Sequence, residues 1–253
     1  MMAKLKARKP KRPERPAPPI RAHELVRGVR LAPGWRLRLA GVGELDRAAE
    51  LLALAHLRLD ADVAATIRAG AHAEVLLAGL RDGKQALLYP IAEAAAAGDP
   101  NLAIVKMAAL LVAVDRDDQI GGIVMTVPPG TVFAELYSKG FLPSHALLGL
   151  TLATKIQGLA VDPAARGSGL GARMLAQAWR LHHQLGAMVV YGQFPIRSGL
   201  AAYYAATPFE VLPERYGIML EPILGRQAGI APSAGEQIFA RWSQSAFRAI
   251  DHV

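Results

Sequence analysis

The spacing of hydrophobic and polar positions changes several times along this chain, and each change marks an element. Trp35-Arg36-Leu37-Arg38-Leu39 alternates and predicts a first strand. From Val42 to about Leu59, Leu45, Ala48, Ala49, Leu52 and Ala55 recur at helical spacing, with His56 on that face as an edge or partnered residue. Alanine-rich helices follow over Asp62 to Leu80 and Gln85 to Ala97, the second interrupted or opened by Pro90. Gly98-Asp99-Pro100-Asn101 reads as a turn. Ala108 to Val114 and Gln119 to Val127 predict a hairpin around Asp115-Arg116-Asp117-Asp118. The acids of that turn lack the glycine and closing glutamate of a calcium loop, so they read as a solvated turn.

Pro128-Pro129-Gly130 opens a long connection to Leu150, of the kind that serves as a lid over a bound acceptor. Leu150 to Val161 is a strand, ended by Asp162-Pro163, because proline offers no ladder N–H. After a glycine-rich loop, Leu170, Met174, Leu175, Ala178, Trp179 and Leu181 define an amphipathic helix. Ala187 to Gly192 predicts another strand, Ser198 to Ala206 a short helix, and Phe209 to Leu212 and Tyr216 to Leu220 two more strands. Pro222 and Gly225 mark a boundary, and Ser233-x-x-Glu236 is the signature of a capping box. It predicts a final helix with Ile238, Phe239, Trp242, Ala246 and Ile250 on one side. That side packs on its own domain by default; a homodimer contact or an acceptor-site wall is the sharper alternative.

The strand–loop–helix at residues 158–171 carries the most chemistry. A loop opening onto a helix presents backbone N–H groups without intrahelical partners, at the end where the dipole places about +0.5 charge. Glycines at 167, 169 and 171 remove Cβ atoms that would hold a diphosphate away, and Arg166 adds a full charge. Gly167-x-Gly169-x-x-Ala172 also satisfies a loose dinucleotide fingerprint, but the acid expected about 20 residues later is missing. The first acid after the loop is Glu210. A phosphate loop ending in Gly-Lys-Ser/Thr is absent.

The spacing Arg166-x-x-Gly169-x-Gly171 resembles the acetyl-CoA loop of the GNAT acyltransferase superfamily, written Gln/Arg-x-x-Gly-x-Gly/Ala. Tyr204-Ala205-Ala206-Thr207-Pro208-Phe209 looks like that superfamily's Tyr-x-x-x-Gly-Phe signature, with Pro208 in place of the glycine. The resemblance implies an α/β fold with a mixed, centrally splayed sheet flanked by helices, over residues 31–225. It further implies acetyl-CoA as co-substrate, held by Leu159, Ala160, Val161, Arg166, Gly167, Ser168, Gly169, Leu170, Gly171 and Ala172. The main-chain groups of Leu159 and Val161 would pair with the pantetheine arm, with Ala187 to Tyr191 as the other side of the wedge. Tyr204 would protonate the departing thiolate, and Tyr203 reads as packing. Relatives often carry an asparagine seven residues before the tyrosine; Arg197 stands there, which alters one cofactor contact. The glutamate many relatives use as a base has no counterpart in Leu150 to Gln157. Glu135 and His145 are the nearby candidates, and the base stays unassigned.

Charge divides the chain. It has 253 residues and a net charge of +8. The first 30 residues hold ten Lys/Arg and two acids, which accounts for the whole excess and leaves the remainder neutral. This proline-rich arm is expected to be disordered and to suit weak, salt-sensitive contact with nucleic acid or another acidic surface. No apolar run reaches the ~18 residues of a membrane span, and no signal-peptide core follows the basic start. With no cysteine and seven scattered histidines, no metal site is expected, and a cytoplasmic location fits. The reading is therefore a disordered arm (1–30), an acyltransferase domain (31–225) and a helical extension (226–253). The expected activity is acetyl transfer from acetyl-CoA to a primary amine in a ternary complex. The rivals are an aminoacyl-tRNA-acetylating, toxin-like enzyme and a non-catalytic acyl-CoA sensor.

Overall fold

An eight-stranded sheet forms the centre of the computed structural model, which describes residues 18–96, 100–130, 138, 140, 150–221, 228–243 and 249–251. In chain order its strands are β1 (Val29–Ala32), β2 (Trp35–Leu39), β3 (Ala109–Val114), β4 (Ile120–Val127), β5 (Ala153–Val161), β6 (Val189–Pro195), β7 (Glu210–Val211) and β10 (Glu236–Trp242). Their spatial order is β1-β2-β3-β4-β5-β6-β10-β7. Every neighbouring pair is antiparallel except β5 and β6, which run parallel. A second sheet joins β8 (Tyr216–Met219), β9 (Gly229–Ile230) and β11 (Ala249–Asp251). The mixed, flanked sheet is the fold class the sequence leads one to expect.

β3 shows how the sequence dictates the layers. It is buried on both faces, so it reads as an unbroken apolar run. Ala109, Leu111 and Ala113 face one cluster; Leu110, Val112 and Val114 face the other. The first cluster is capped by α7 (Leu170–Gln184), whose Met174, Leu175, Ala178 and Leu181 are all buried as predicted. The methionine and the two leucines each contribute roughly 1.5–3 kcal/mol by leaving water, the alanine less. The second is capped by α2 (Leu45–Leu54) and α3 (Ala61–Arg68) through Leu51, Leu52, Val63 and Ile67. α4 (Glu74–Asp82), α5 (Lys84–Ala96) and α6 (Pro100–Met107) complete the first half, with Pro90 inside α5.

His182 ties α7 to the sheet. It is 5% exposed, and its Nε2 lies 2.9 Å from the hydroxyl of Thr126, which in turn donates to the carbonyl of Ala109. The ring is therefore a donor at Nε2. Burial pushes its pKa down to about 4, so it stays neutral near pH 7.

Three expectations need correction. The C-terminal helix is a strand. Glu236 N–H bonds the carbonyl of Ser233 in a turn, Gly235 takes a left-handed φ of 76°, and Glu236–Trp242 then pairs in full with Val189–Pro195. Ser233 donates its hydroxyl to Gln193 instead of capping a helix. Ile238 and Ala240 bury on one face and Phe239 on the other, so two-sided burial overrides the helical spacing. Because β10 lies between β6 and β7, residues 228–243 belong to the main domain and are not an extension of it. Ala246 lies outside the described residues, and Ile250 sits in β11.

The basic arm also ends earlier than residue 30. Ile20 is 4% exposed, and its N–H and carbonyl both bond the side chain of Gln184 at 2.8 Å. α1 (Ala22–Arg27) buries Leu25, and β1 pairs with β2. Residues 1–17 lie outside the described residues.

Candidate active site

The parallel pair does not stay together. β5 and β6 share four rungs, from Ala153 with Val189 to Ile156 with Gly192, and then part. Gln157–Val161 of β5 and Gln193–Pro195 of β6 have no rung between them. A bulge explains the departure. On the β4 side, Met125 pairs with Gly158 while Thr126 pairs with Ile156, so Gln157 is the extra residue. A bulge sharpens the local twist and shifts the alternation of faces. Ile156 faces α7, yet Ala160 joins the cluster beneath α2. Gly158 keeps this close: a Cβ there would sit 2.9 Å from Leu52 Cδ2.

The expected wedge is thus displaced. Ala187 to Tyr191 lies at the closed end, where the strands pair; the open wall is Gln193–Pro195. Parallel strands that enter side by side can diverge only toward their C-terminal ends. Leu159, Ala160 and Val161 do line the open edge of β5, although the Val161 carbonyl already accepts from Arg166 Nε at 3.2 Å.

At the mouth of this split stands the glycine loop. Asp162 accepts from the N–H of Ala164 at 2.8 Å, starts a 3-10 turn at Pro163–Ala165, and pairs with Arg47 of α2. Ser168 donates its hydroxyl to the carbonyl of Ala165 at 2.6 Å, folding the side chain back on the loop. Gly167 and Gly169 take φ of 78° and 76°, which favours glycine, and Gly169 is the N-cap of α7. The consequence is a row of donors. The N–H groups of residues 167–172 find no acceptor among the described residues, whereas Arg173 N–H already bonds the carbonyl of Gly169. Gly167, Ser168, Gly169, Leu170, Gly171 and Ala172 thus form one continuous row at the start of α7.

Gly171 has a further reason to be bare. A Cβ there would lie 2.4 Å from the hydroxyl of Tyr203, so its bareness admits that side chain against the first turn of α7. Tyr203 is 37% exposed and packs its hydroxyl end on the loop, with its ring edge-on to Tyr204 at 5.1 Å. Both tyrosines come from α8 (Ala201–Ala205). The Tyr204 ring is buried, stacked on Phe239 of β10 at 3.7 Å between centroids and on Phe194 of β6 at 5.2 Å. Its hydroxyl has no hydrogen-bond partner among the described residues, and burial raises its pKa. That places Tyr204 beside the open end of β6. Phe239, half of its bed, escaped sequence reasoning because its strand was read as a helix.

The candidate bases Glu135 and His145 lie outside the described residues. Among the described residues no group of three His, Asp or Glu could hold a metal ion. A cavity of about 540 Å³ opens on the other side of the Asp162 turn, lined by Trp35, Glu44, Arg47, Asp115 and Asp118. Its charges are spent internally. Arg38 pairs with Glu44, Arg36 with Asp118 and Arg47 with Asp162, while Asp115 accepts from the N–H groups of Asp117 and Gln119.

No family model matches the chain, and no match to it is found among curated proteins. Solved structures are similar in outline. Nourseothricin acetyltransferase is 14% identical over 54% of this chain and 66% of its own, with a TM-score of 0.34. A putative acetyltransferase from Salmonella typhimurium, with its cofactor acetyl-CoA, is 12% identical over 84% of this chain and 95% of its own, with a TM-score of 0.43. An acetyltransferase of the GNAT family from Staphylococcus aureus Mu50 is 11% identical over 83% and 99%, with a TM-score of 0.43. The last is named for the superfamily that residues 166–171 resemble. At 14% identity or less and TM-scores below 0.5 these likenesses carry no assignment of activity, and the loop, the split sheet and Tyr204 bear the chemical reading on their own.

Proposed function

We propose that this chain binds acetyl-CoA across the split between β5 and β6 and transfers the acetyl group directly to an amine. The observation that carries this reading is the row of six N–H groups, 167–172, without an acceptor among the described residues, at the N-terminus of a 15-residue helix. A diphosphate is the ligand that uses such a row. Its charge meets the positive end of the dipole, and its oxygens take donors the chain leaves without partners. Arg166 stands at the rim. From the pyrophosphate, the pantetheine arm would run along the unpaired edge of β5 as an added strand, delivering the thioester to Tyr204.

The amine nitrogen then attacks the thioester carbonyl carbon, and the carbonyl oxygen takes the developing charge. Main-chain donors on β5 suit it, since fixed dipoles in a site shielded from water need no reorganisation. As the C–S bond breaks, the sulfur receives the phenolic proton of Tyr204, free CoA leaves as the thiol, and the tyrosine regains a proton from water. Burial keeps that phenol protonated throughout the neutral range, which a donor requires. The amine's surplus proton passes to water or to a base outside these residues. Orientation of the two reactants supplies most of the acceleration.

Titration calorimetry with CoA and acetyl-CoA tests this reading. Both should bind with similar affinity, because the diphosphate dominates recognition. Gly169→Val, which forces a β-branched residue to a φ of 76°, should abolish the signal. Absence of heat with folded wild-type protein would overturn the proposal.

A further inference from the structure

The sheet face opposite α7 is covered unevenly. At one end α2 and α3 pack over β3 and β4. At the other, β8 and β9 lay Ile218 and Ile230 against β6 and β10. β5 crosses from one patch to the other: Ala160 belongs to the first, Ala153 to the second. Between them lies a strip of this face that follows the split on the side away from the helix.

Few polar groups enter it. Lys155 shares a rung with Tyr191, whose ring belongs to the second patch, so the lysine projects onto this face. Gln193 stands two residues beyond Tyr191, opposite Ile238. Its carbonyl accepts from the N–H and hydroxyl of Ser233, and its amide donates to the Ala231 carbonyl, so it is already committed as scaffold. Glu236, two residues before Ile238, faces the same way from across the split. Lys155 is the exception. It is largely withdrawn from water, and its ammonium has neither a hydrogen bond nor an ion pair among the described residues. Glu236 acts on it only through its field; burial outweighs that field and lowers the lysine's pKa. A cation held out of water without a contacting anion is unfavourable, and a bound carboxylate relieves it. The face is also bipolar, with an ammonium on β5 and a carboxylate on β10.

Building on the proposed acetyl transfer, we propose that Lys155 binds a carboxylate of the acyl acceptor, so that the acceptor is a small molecule bearing both an amine and an acid. Glu236, at the opposite pole, favours the amine end and orients it toward the open wall of β6.

The test uses the full chain, acetyl-CoA, and matched pairs of amino acids and their carboxamides as acceptors, followed by thiol release. Titration of the N-acetylated acids and amides into CoA-loaded protein gives a second readout independent of turnover. Acids should exceed amides by at least about tenfold, as expected when a desolvated charge is left without its partner. Lys155→Met should bring that ratio close to one, and Lys155→Arg should keep most of it. Replacing a half-buried lysine by methionine removes a desolvation cost, so the variant should fold; its urea midpoint checks this. Amides performing as well as acids, or a preference that survives in Lys155→Met, would overturn the inference. So would Lys155→Met losing acids and amides alike, which would mark Lys155 as a proton carrier and not a recognition residue. Failure of wild-type protein to bind acetyl-CoA would instead remove the underlying reading of the split.

Discussion

Tyr204→Phe separates chemistry from architecture. The phenyl ring retains the stack on Phe239 at 3.7 Å and 11° and the contact with Phe194, because both involve ring carbons. The hydroxyl has no hydrogen-bond partner among the described residues, so removing it leaves no buried donor or acceptor orphaned. Stability should change by less than about 1 kcal/mol, whereas Tyr204→Ala empties the stack and should cost roughly 3–5 kcal/mol. Donation to the departing sulfur is worth about 10²–10⁴ in rate, or roughly 3–5 kcal/mol of barrier. On the proposed reading the diphosphate is held by the main-chain N–H groups of the loop and not by this hydroxyl, so acetyl-CoA affinity should hold. The assay pairs steady-state thiol release with urea denaturation and CoA titration on the same preparation. A kcat within twofold of wild type would refute the donor role. Parallel loss of kcat and acetyl-CoA affinity would do so as well, since it would mean the hydroxyl builds the binding site.

Gly171→Ala should destabilise the protein by about 1–2 kcal/mol through crowding of the Tyr203 hydroxyl at 2.4 Å, partly offset by better helix propensity. Adding Tyr203→Phe leaves the next ring atom at 3.5 Å and should restore at least about 1 kcal/mol; additivity within roughly 0.5 kcal/mol in a double-mutant cycle would contradict the packing described. His182 gives a pH dependence. Its folded pKa of about 4 lies below the unfolded value near 6.5, so the unfolded chain binds the extra proton and stability falls as pH drops through that window. The loss by pH 4 should be about 3 kcal/mol, with His72 acting in the same direction because burial lowers its pKa too. Urea midpoints that stay level from pH 7 to 4.5 would argue against a buried neutral imidazole.

Legibility in the sequence followed the range of the interactions involved. The loop and α7 were readable because their determinants are local: a proline turn, spaced glycines, then helical periodicity. β3 and β4 were readable as apolar runs around an acidic turn. β10 was not. Gln237 to Trp242 satisfies both periods in outline, and the choice between them rests on seven pairings with residues some 40–50 positions earlier. The open wall of the wedge was misplaced for a related reason. Where parallel strands part depends on a bulge at Gln157, and a bulge is a property of a pair of strands and not of either alone. Lys155 escaped notice because a lysine in an apolar strand signals nothing until its neighbours are known.

The insertion of β10 between β6 and β7 has a consequence for synthesis. Residues 153–204 supply the loop, the helix and the tyrosine, yet Phe239 arrives only after another 35 have been made. A nascent chain stopped short of it would own every reactive group described and still lack the floor on which Tyr204 rests. The finished arrangement thus waits on a late strand that fills an interior slot, and any partly made chain in which β6 had already formed would carry an open edge there.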